Sequence, residues 1–322
     1  MARRCGVCGK RYIAKPDLSG EVVGNSRFGV RLMSLVADMA INARMPHRTI
    51  QRILGGLYGL KISVGEISRL LHTVAERGKP AYRDLLEKIR ASGVVNGDET
   101  GWRESGVNGY IWSFSTPEAR YLLRDPSRAK TVVSRTLGEQ FSGVLVSDFY
   151  GAYNVYEGVK QRCWVHLLRD LKILREKHPD NESVAQWVGC IKSIYEQAKA
   201  VARSDLGQMD RCAMRQHFEA EMLRLAIPYL GVKNAPQRVL AKRIDSFLGE
   251  LFPFVDCEGV PPDNNAAERA VRPAVIARKV SGGTRSAKGS TTRMILMSLF
   301  GTWNLNGLDP QTTCITMLTA RA

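Results

Sequence analysis

Long apolar runs are missing from this sequence. No stretch among its 322 residues approaches the ~18–20 consecutive apolar side chains that span a bilayer as a helix. The first ten residues, MARRCGVCGK, lack the apolar core of a secretory signal. Cysteine is sparse and odd in number, seven in all, which argues against a disulfide framework and for a reducing, cytoplasmic setting. No internal repeat and no low-complexity run is found, so a repeat architecture is excluded. What remains is 44% hydrophobic residues, enough for an ordinary globular chain with a sizeable core in one or two domains.

Acidic residues are also scarce, but only at the two ends. Residues 1–90 carry 17 Lys+Arg against 7 Asp+Glu. Residues 91–263 carry 22 of each, and residues 264–322 carry 8 against 2. Two basic ends around a neutral middle call for a polyanionic partner, most simply nucleic acid. An anionic membrane surface fits less well, because no long basic amphipathic segment carries Trp or Phe on its apolar face.

The first 25 residues hold a C-x-x-C knuckle, Cys5 and Cys8, with no second Cys or His pair before His47. Zinc in a structural site takes four ligands, so this is half a site. It is read as a remnant, with zinc shared with a partner chain, or a weak redox pair, left open. Residues 26–90 are helical by apolar spacing. Leu32, Leu35, Val36 and Met39 form one stripe, and Ile50, Ile53, Leu54 and Leu57 a second, broken by Gly55, Gly56 and Gly59. Ser63 to Glu66 reads as a capping box opening a helix that buries Ile67, Leu70, Leu71 and Val74. Its outward face offers Arg69, His72 and Arg77, the pattern of a helix-turn-helix that binds DNA.

From Gly93 the texture becomes α/β. Val94-Val95 leads to Asp98; Asn108-Gly109 reads as a turn before a strand at Tyr110–Ser115; Arg120–Leu123 is another strand. Ser127–Leu137 reads as a helix, and Gly143–Ser147 as a buried strand ending in Asp148. Helices then fill residues from about 165 to 260 as an insertion, before the segment PPDNNAAERAVRP. There Asn265 is expected to cap a short helix, with Glu268 in its first turn and Pro273 at its end. The catalytic unit is expected over residues 91–300, followed by a tail over 301–322.

Asp98, Asp148 and Glu268 stand at strand or helix ends, where α/β sheets bind ligands. Three converging carboxylates repel one another unless cations share the site. Two Mg²⁺ ions, or Mn²⁺, would meet that need and would clamp the attacking and leaving oxygens of a phosphodiester. Cys163 and His166 form a C-x-x-H on one helix face, read as a packed pair orienting the site edge, since a metal needs more than two ligands. Arg269, Arg272, Arg278, Lys279, Arg285, Lys288 and Arg293 surround Gly282, Gly283 and Gly289 and are expected to grip DNA phosphates. Trp102 and Trp112 are weighed as base-stacking residues, with core packing favoured for Trp112.

The residues at these positions resemble the insertion-sequence-66-type (IS66) family of DDE transposases. The match rests on Asp98-Glu99-Thr100, Ser147-Asp148 with Tyr150 and Tyr153, Arg162-Cys163-Trp164 with His166, and Asn264-Asn265 with Ala267-Glu268-Arg269 and Arg272-Pro273. Ser281 to Thr284 and Asn306 to Pro310 add to it. The resemblance implies a ribonuclease-H-like mixed sheet with a helical insertion, and Asp98, Asp148 and Glu268 as the catalytic triad. It implies a homodimer or larger assembly on double-stranded DNA, both terminal inverted repeats and target, in a prokaryotic, nucleoid-associated setting. It also implies a longer leader with a further upstream Cys pair, which puts zinc at Cys5 and Cys8 in question. A ribonuclease-H-like nuclease or resolvase, and a silent DNA-binding repressor, are the alternatives.

Overall fold

The computed structural model describes residues 2–13, 18, 20–24 and 26–320; parts of the expected leader and the last two tail residues lie outside it. Strands β1 (Ala2–Arg4) and β2 (Arg11–Ile13) pair antiparallel around the cysteine knuckle. Helices α1 (Val30–Ile41), α2 (His47–Tyr58) and α3 (Val64–Arg90) follow. Ser63 and Glu66 form the expected capping box: Ser63 Oγ accepts from the Glu66 N–H, and the Glu66 carboxylate accepts from the Ser63 N–H. α3 is a single 27-residue helix that runs through Pro80. Ile67, Leu70, Leu71 and Val74 are all buried along it.

The central sheet comprises β3 (Val94–Glu104), β4 (Val107–Ser115), β5 (Arg120–Asp125), β6 (Val144–Ser147) and β7 (Lys160–Arg162), with α4 (Thr131–Leu137) between β5 and β6. The spatial order is β5-β4-β3-β6-β7. β3, β4 and β5 are antiparallel neighbours, and β6 and β7 add parallel to β3. Two local readings are corrected. The β3–β4 turn is Ser105-Gly106, with φ of 52° and 82°, and Asn108-Gly109 lie inside β4. Positive φ at both central residues is what a two-residue hairpin needs, and Ser105 accepts it where Asn108 was expected to. The three-residue β7 was missed because its apolar content is too small to register.

The helical block is α5 (Trp164–Lys177), α6 (Glu182–Ala202), α7 (Gln208–Leu230), α8 (Arg238–Ser246) and α9 (Pro253–Asp256). Then come α10 (Asn265–Ser281), α11 (Ala287–Leu305) and α12 (Pro310–Thr319). Residues 301–305 therefore continue α11, and α12 packs on α1. Two apolar cores result. One joins α1–α3, α11 and α12 to Val95, Ile111 and Leu145 of the sheet. The other lies under the insertion, where Trp164 is buried with its indole N–H donating to the Leu251 carbonyl at 2.6 Å. Alternation along a strand explains the split: Leu145 faces the first core and Val146 the second. Truncating such a buried Trp costs roughly 3–5 kcal/mol. No described helix is long and apolar enough to cross a membrane.

Candidate active site

Asp98 does not end its strand, as the sequence suggested; it is the fifth residue of the eleven-residue β3. The parallel pairing of β3 with β6 stops at Asn96–Val146. Past that point β3 runs on beside β4 alone, so Asp98 emerges where β6 has ended and Asp148 begins a turn. Asp98 Oδ1 accepts from the Glu99 N–H at 2.8 Å and Asp148 Oδ1 from the Tyr150 N–H at 2.9 Å. In each carboxylate the second oxygen makes no hydrogen bond among the described residues.

α10 brings the third acid. Its cap is Asn264, not Asn265, which is the first helical residue and whose N–H donates to Asp263 at 3.0 Å. The Asn264 side chain makes no cap bond because the sheet uses it: its Nδ2 donates to Gly97 O at 2.7 Å, and its Oδ1 accepts from Asn96 Nδ2 at 3.1 Å. This buried clasp fixes α10 on β3, one residue from Asp98. Pro273 sits inside the 17-residue α10 rather than ending it; Gly282, at φ 73°, caps its C-terminus.

The electrostatics follow from this convergence. Asp98 is driven from 3.8 to about 7, first by burial, then by the neighbouring charges of Glu99, Asp148 and Glu268. Asp98, Glu99 and Glu268 line a cleft of ≈ 620 Å³ with Thr100, Asn265 and Arg269. Asp98 and Glu268 offer the cleft hard carboxylate oxygens of the kind divalent cations such as Mg²⁺ take, while both oxygens of Glu99 are engaged. Among the described residues, Asp98, Asp148 and Glu268 do not have ligand atoms all within 4.8 Å of one another.

Glu99 gained no role from the sequence. Its side chain is 2% exposed; the Tyr153 hydroxyl donates to it at 2.6 Å and Arg128 Nη2 at 2.6 Å. Burial raises its carboxyl despite both donors. Alternation along β3 separates the two acids: Asp98 shares a face with Asn96, and Glu99 points to the face where Tyr153 lies. Gly97 leaves room for that ring, since a Cβ there would sit 2.8 Å from Tyr153 Cε1. The asparagine clasp and the tyrosine–glutamate pair carry no periodicity and join residues 54 to 168 positions apart. The only signal available was the Asn-Asn doublet itself.

The basic residues divide. Arg69, Arg77, Arg269, Arg272, Lys279, Arg285 and Lys288 are exposed. Arg278 is not free: its guanidinium donates to Gly101 O and to Thr100 Oγ1, tying α10 to β3. His72 is half-buried with Nδ1 2.6 Å from Thr292 Oγ1, so it docks α3 on α11 instead of facing outward. Arg293 is half-buried beside the Trp102 ring. Trp102 itself is 1% exposed with its N–H on Thr284, and Trp112 is fully buried, so neither is available to stack a base. Gly283 serves the protein backbone: at φ 125°, a Cβ would lie 2.1 Å from Arg103 O, where the loop pairs with the β3 end. A second cleft of ≈ 480 Å³ lies on the far side of α10, lined by Arg44, Arg120, Arg269 and Arg272. Arg44 Nε is buried there without a hydrogen-bond partner among the described residues.

Cys163 is fully buried, its Sγ accepting from the Asn264 N–H at 3.2 Å. His166 Nε2 lies 3.9 Å from Glu268 Oε1. His166 thus lies beside Glu268, and no hydrogen bond joins the Cys163 and His166 side chains among the described residues. Cys5 and Cys8 are both free thiols.

The sequence profile described as "Transposase IS66 family" matches residues 25–292. The uncharacterized protein y4jD of Sinorhizobium fredii (strain NBRC 101917 / NGR234) is 28% identical over 88% of this chain and 61% of its own length. From the same strain, uncharacterized protein y4qI is 26% identical over 70% of this chain and 47% of its own. Uncharacterized protein y4jO is 30% identical over 52% and 49%. The chain thus spans about half to three fifths of these relatives. With the profile covering most of its length, the chain belongs to the IS66 family of transposases.

Proposed function

We propose that this chain carries the catalytic centre of a DDE-type transposase, which cuts and joins DNA ends at Asp98, Asp148 and Glu268. The sheet order, three antiparallel strands extended by two parallel ones, supports reading the fold as ribonuclease-H-like. The observation that carries the proposal is the Asp98 carboxyl on β3, raised to about 7 first by burial and then by the nearby charges of Glu99, Asp148 and Glu268. An uncompensated cluster of this kind is unfavourable unless it has a task.

When bound, divalent cations supply the charge that neutralises the acids and stabilises the oxygens exchanged at phosphorus. Asp98, Asp148 and Glu268 would hold them. The chain's own part is positional. The Asn264 clasp sets the pitch of α10 and so the reach of Glu268. Tyr153 and Arg128 hold Glu99 in place beside Asp98 by donating to both of its carboxylate oxygens. Arg269 and Arg272, exposed on α10, would hold the DNA backbone so that a phosphodiester faces the acids; such contacts fix register without reading sequence. Water would serve as nucleophile for nicking and a 3′-hydroxyl for joining.

Labelled DNA ends incubated with Mg²⁺ test this. Wild type should nick and join them, and Asp148→Asn should do neither. Cutting without joining would favour a nuclease. Equal products from both proteins would remove the catalytic assignment. DNA binding with no cleavage by wild type would favour a repressor.

A further inference from the structure

Cys163 and His166 offer two ligands, too few for a metal; the fold supplies a third. The first turn of α10 brings Glu268 over the start of α5. A ligand atom of each of Cys163, His166 and Glu268 then lies within 4.8 Å of the others. Two further observations point to a ligand. His166 Nδ1 is buried without a hydrogen-bond partner among the described residues, and a buried imidazole nitrogen ordinarily has one. Glu268 makes no hydrogen bond through its side chain among the described residues, and its Oε1 lies 3.9 Å from His166 Nε2.

The donor set decides the class of ion. Sulfur, imidazole nitrogen and carboxylate oxygen together suit a borderline-soft cation, and three protein ligands with an open fourth position are ordinary for zinc. Mg²⁺, a hard ion, takes oxygen ligands and leaves thiolate and imidazole aside. Burial raises the Cys163 thiol while the backbone N–H groups of Asn264, His166 and Val165 pull it down. Ligation would release its proton to solvent, so binding strengthens with pH.

We propose that Cys163, His166 and Glu268 form a binding site for a divalent cation of the zinc class, and that filling it draws Glu268 away from Asp98 and Asp148. The second half rests on the reading of Glu268 as a hard-cation ligand; the first half does not. Zinc would then act as an antagonist at the centre where Mg²⁺ is used.

Cobalt(II) tests the site, with spectra rather than activity as the readout. It is titrated into the metal-free full chain bearing Cys5→Ser and Cys8→Ser, which removes the other cysteine pair. The expected result is one equivalent bound with a thiolate-to-cobalt charge-transfer band and tetrahedral visible bands, displaced by zinc. The charge-transfer band should vanish in Cys163→Ser, and affinity should fall on the order of tenfold or more in His166→Ala. The second variant leaves the buried cysteine intact, so misfolding of the first does not decide the matter. Cobalt bound without a thiolate band, or a band unchanged in both variants, would overturn the site. For the antagonism, zinc should inhibit Mg²⁺-dependent cleavage. His166→Ala, scaled to its own zinc-free rate, should need on the order of tenfold more zinc for half-inhibition. Equal sensitivity would overturn that half. A protein that binds cobalt through Cys163 yet never cuts DNA supports the site and sinks only the catalytic reading.

Discussion

Replacing Asp98 with Asn should make the metal-free protein more stable, and increasingly so as pH rises. The folded chain holds this acid at about 7 against an ordinary 3.8. Below pH ~4 the group is protonated in both states and contributes no difference. Between 4 and 7 the folded protein binds the proton more tightly than the unfolded chain, so stability declines with rising pH. Above 7 both states are ionised and the whole penalty is present. The shift converts to an upper figure of about 4 kcal/mol, and relaxation around a carboxyl beside an open cleft leaves about 2–4 kcal/mol. Asparagine is uncharged at every pH and its Oδ1 still accepts the Glu99 N–H. At about 2 °C per kcal/mol for a chain of this size, Asp98→Asn should melt about 4–8 °C higher than wild type at pH 8 in chelator. The gap should close as pH falls toward 4. Added Mg²⁺ should stabilise wild type and leave the variant nearly unmoved. Thermal melts at three pH values, with and without Mg²⁺, measure all of this. A variant that melts at or below wild type at pH 8, or a gap independent of pH, would refute the reasoning.

Further expectations concern the supports of the site. Asn264→Ala strands Asn96 and the Gly97 carbonyl in a buried setting and should cost about 2–3 kcal/mol in chemical denaturation while abolishing cleavage; an active, fully stable variant would remove the clasp from the account. Gly283→Ala places a methyl against Arg103 O at a φ that disfavours side chains, and should lower stability by at least about 2 kcal/mol; wild-type unfolding curves would contradict it. Arg120→Ala with Arg269→Ala should weaken DNA binding uniformly across sequences and reduce the salt slope by about 2, if the arginine cleft behind α10 seats phosphates; an unchanged slope argues against that use.

Several elements were legible in the sequence because their causes are local. The capping box at Ser63 and Glu66 needs only residues three apart. Strands β4 to β6 announce themselves by apolar content and punctuation. The three acids could be named because each follows a recognisable boundary, though Asp98 proved to lie inside its strand. What failed was settled by distant partners. Asn264 replaced Asn265 at the cap because a helix terminus was docked on β3, 167 residues away in the chain. Arg278 and His72 looked outward by charge and turned inward because the Gly101 carbonyl gave one an acceptor and the Thr292 hydroxyl gave the other a hydrogen-bond partner. Pro273 failed to stop α10 because a proline costs a helix one hydrogen bond, and Ala267, Ala270, Val271, Ala274 and Ala277 bury along the same face. Glu268 as a third neighbour of Cys163 and His166 was hidden for the same reason: about a hundred residues of helical insertion separate them along the chain.

The most direct test is a crystal structure with Mn²⁺ and a DNA end, read by anomalous scattering. We expect manganese in contact with Asp98, Asp148 and Glu268 together, beside a backbone phosphate. Manganese bound elsewhere, with those three carboxylates apart and unligated, would contradict the account.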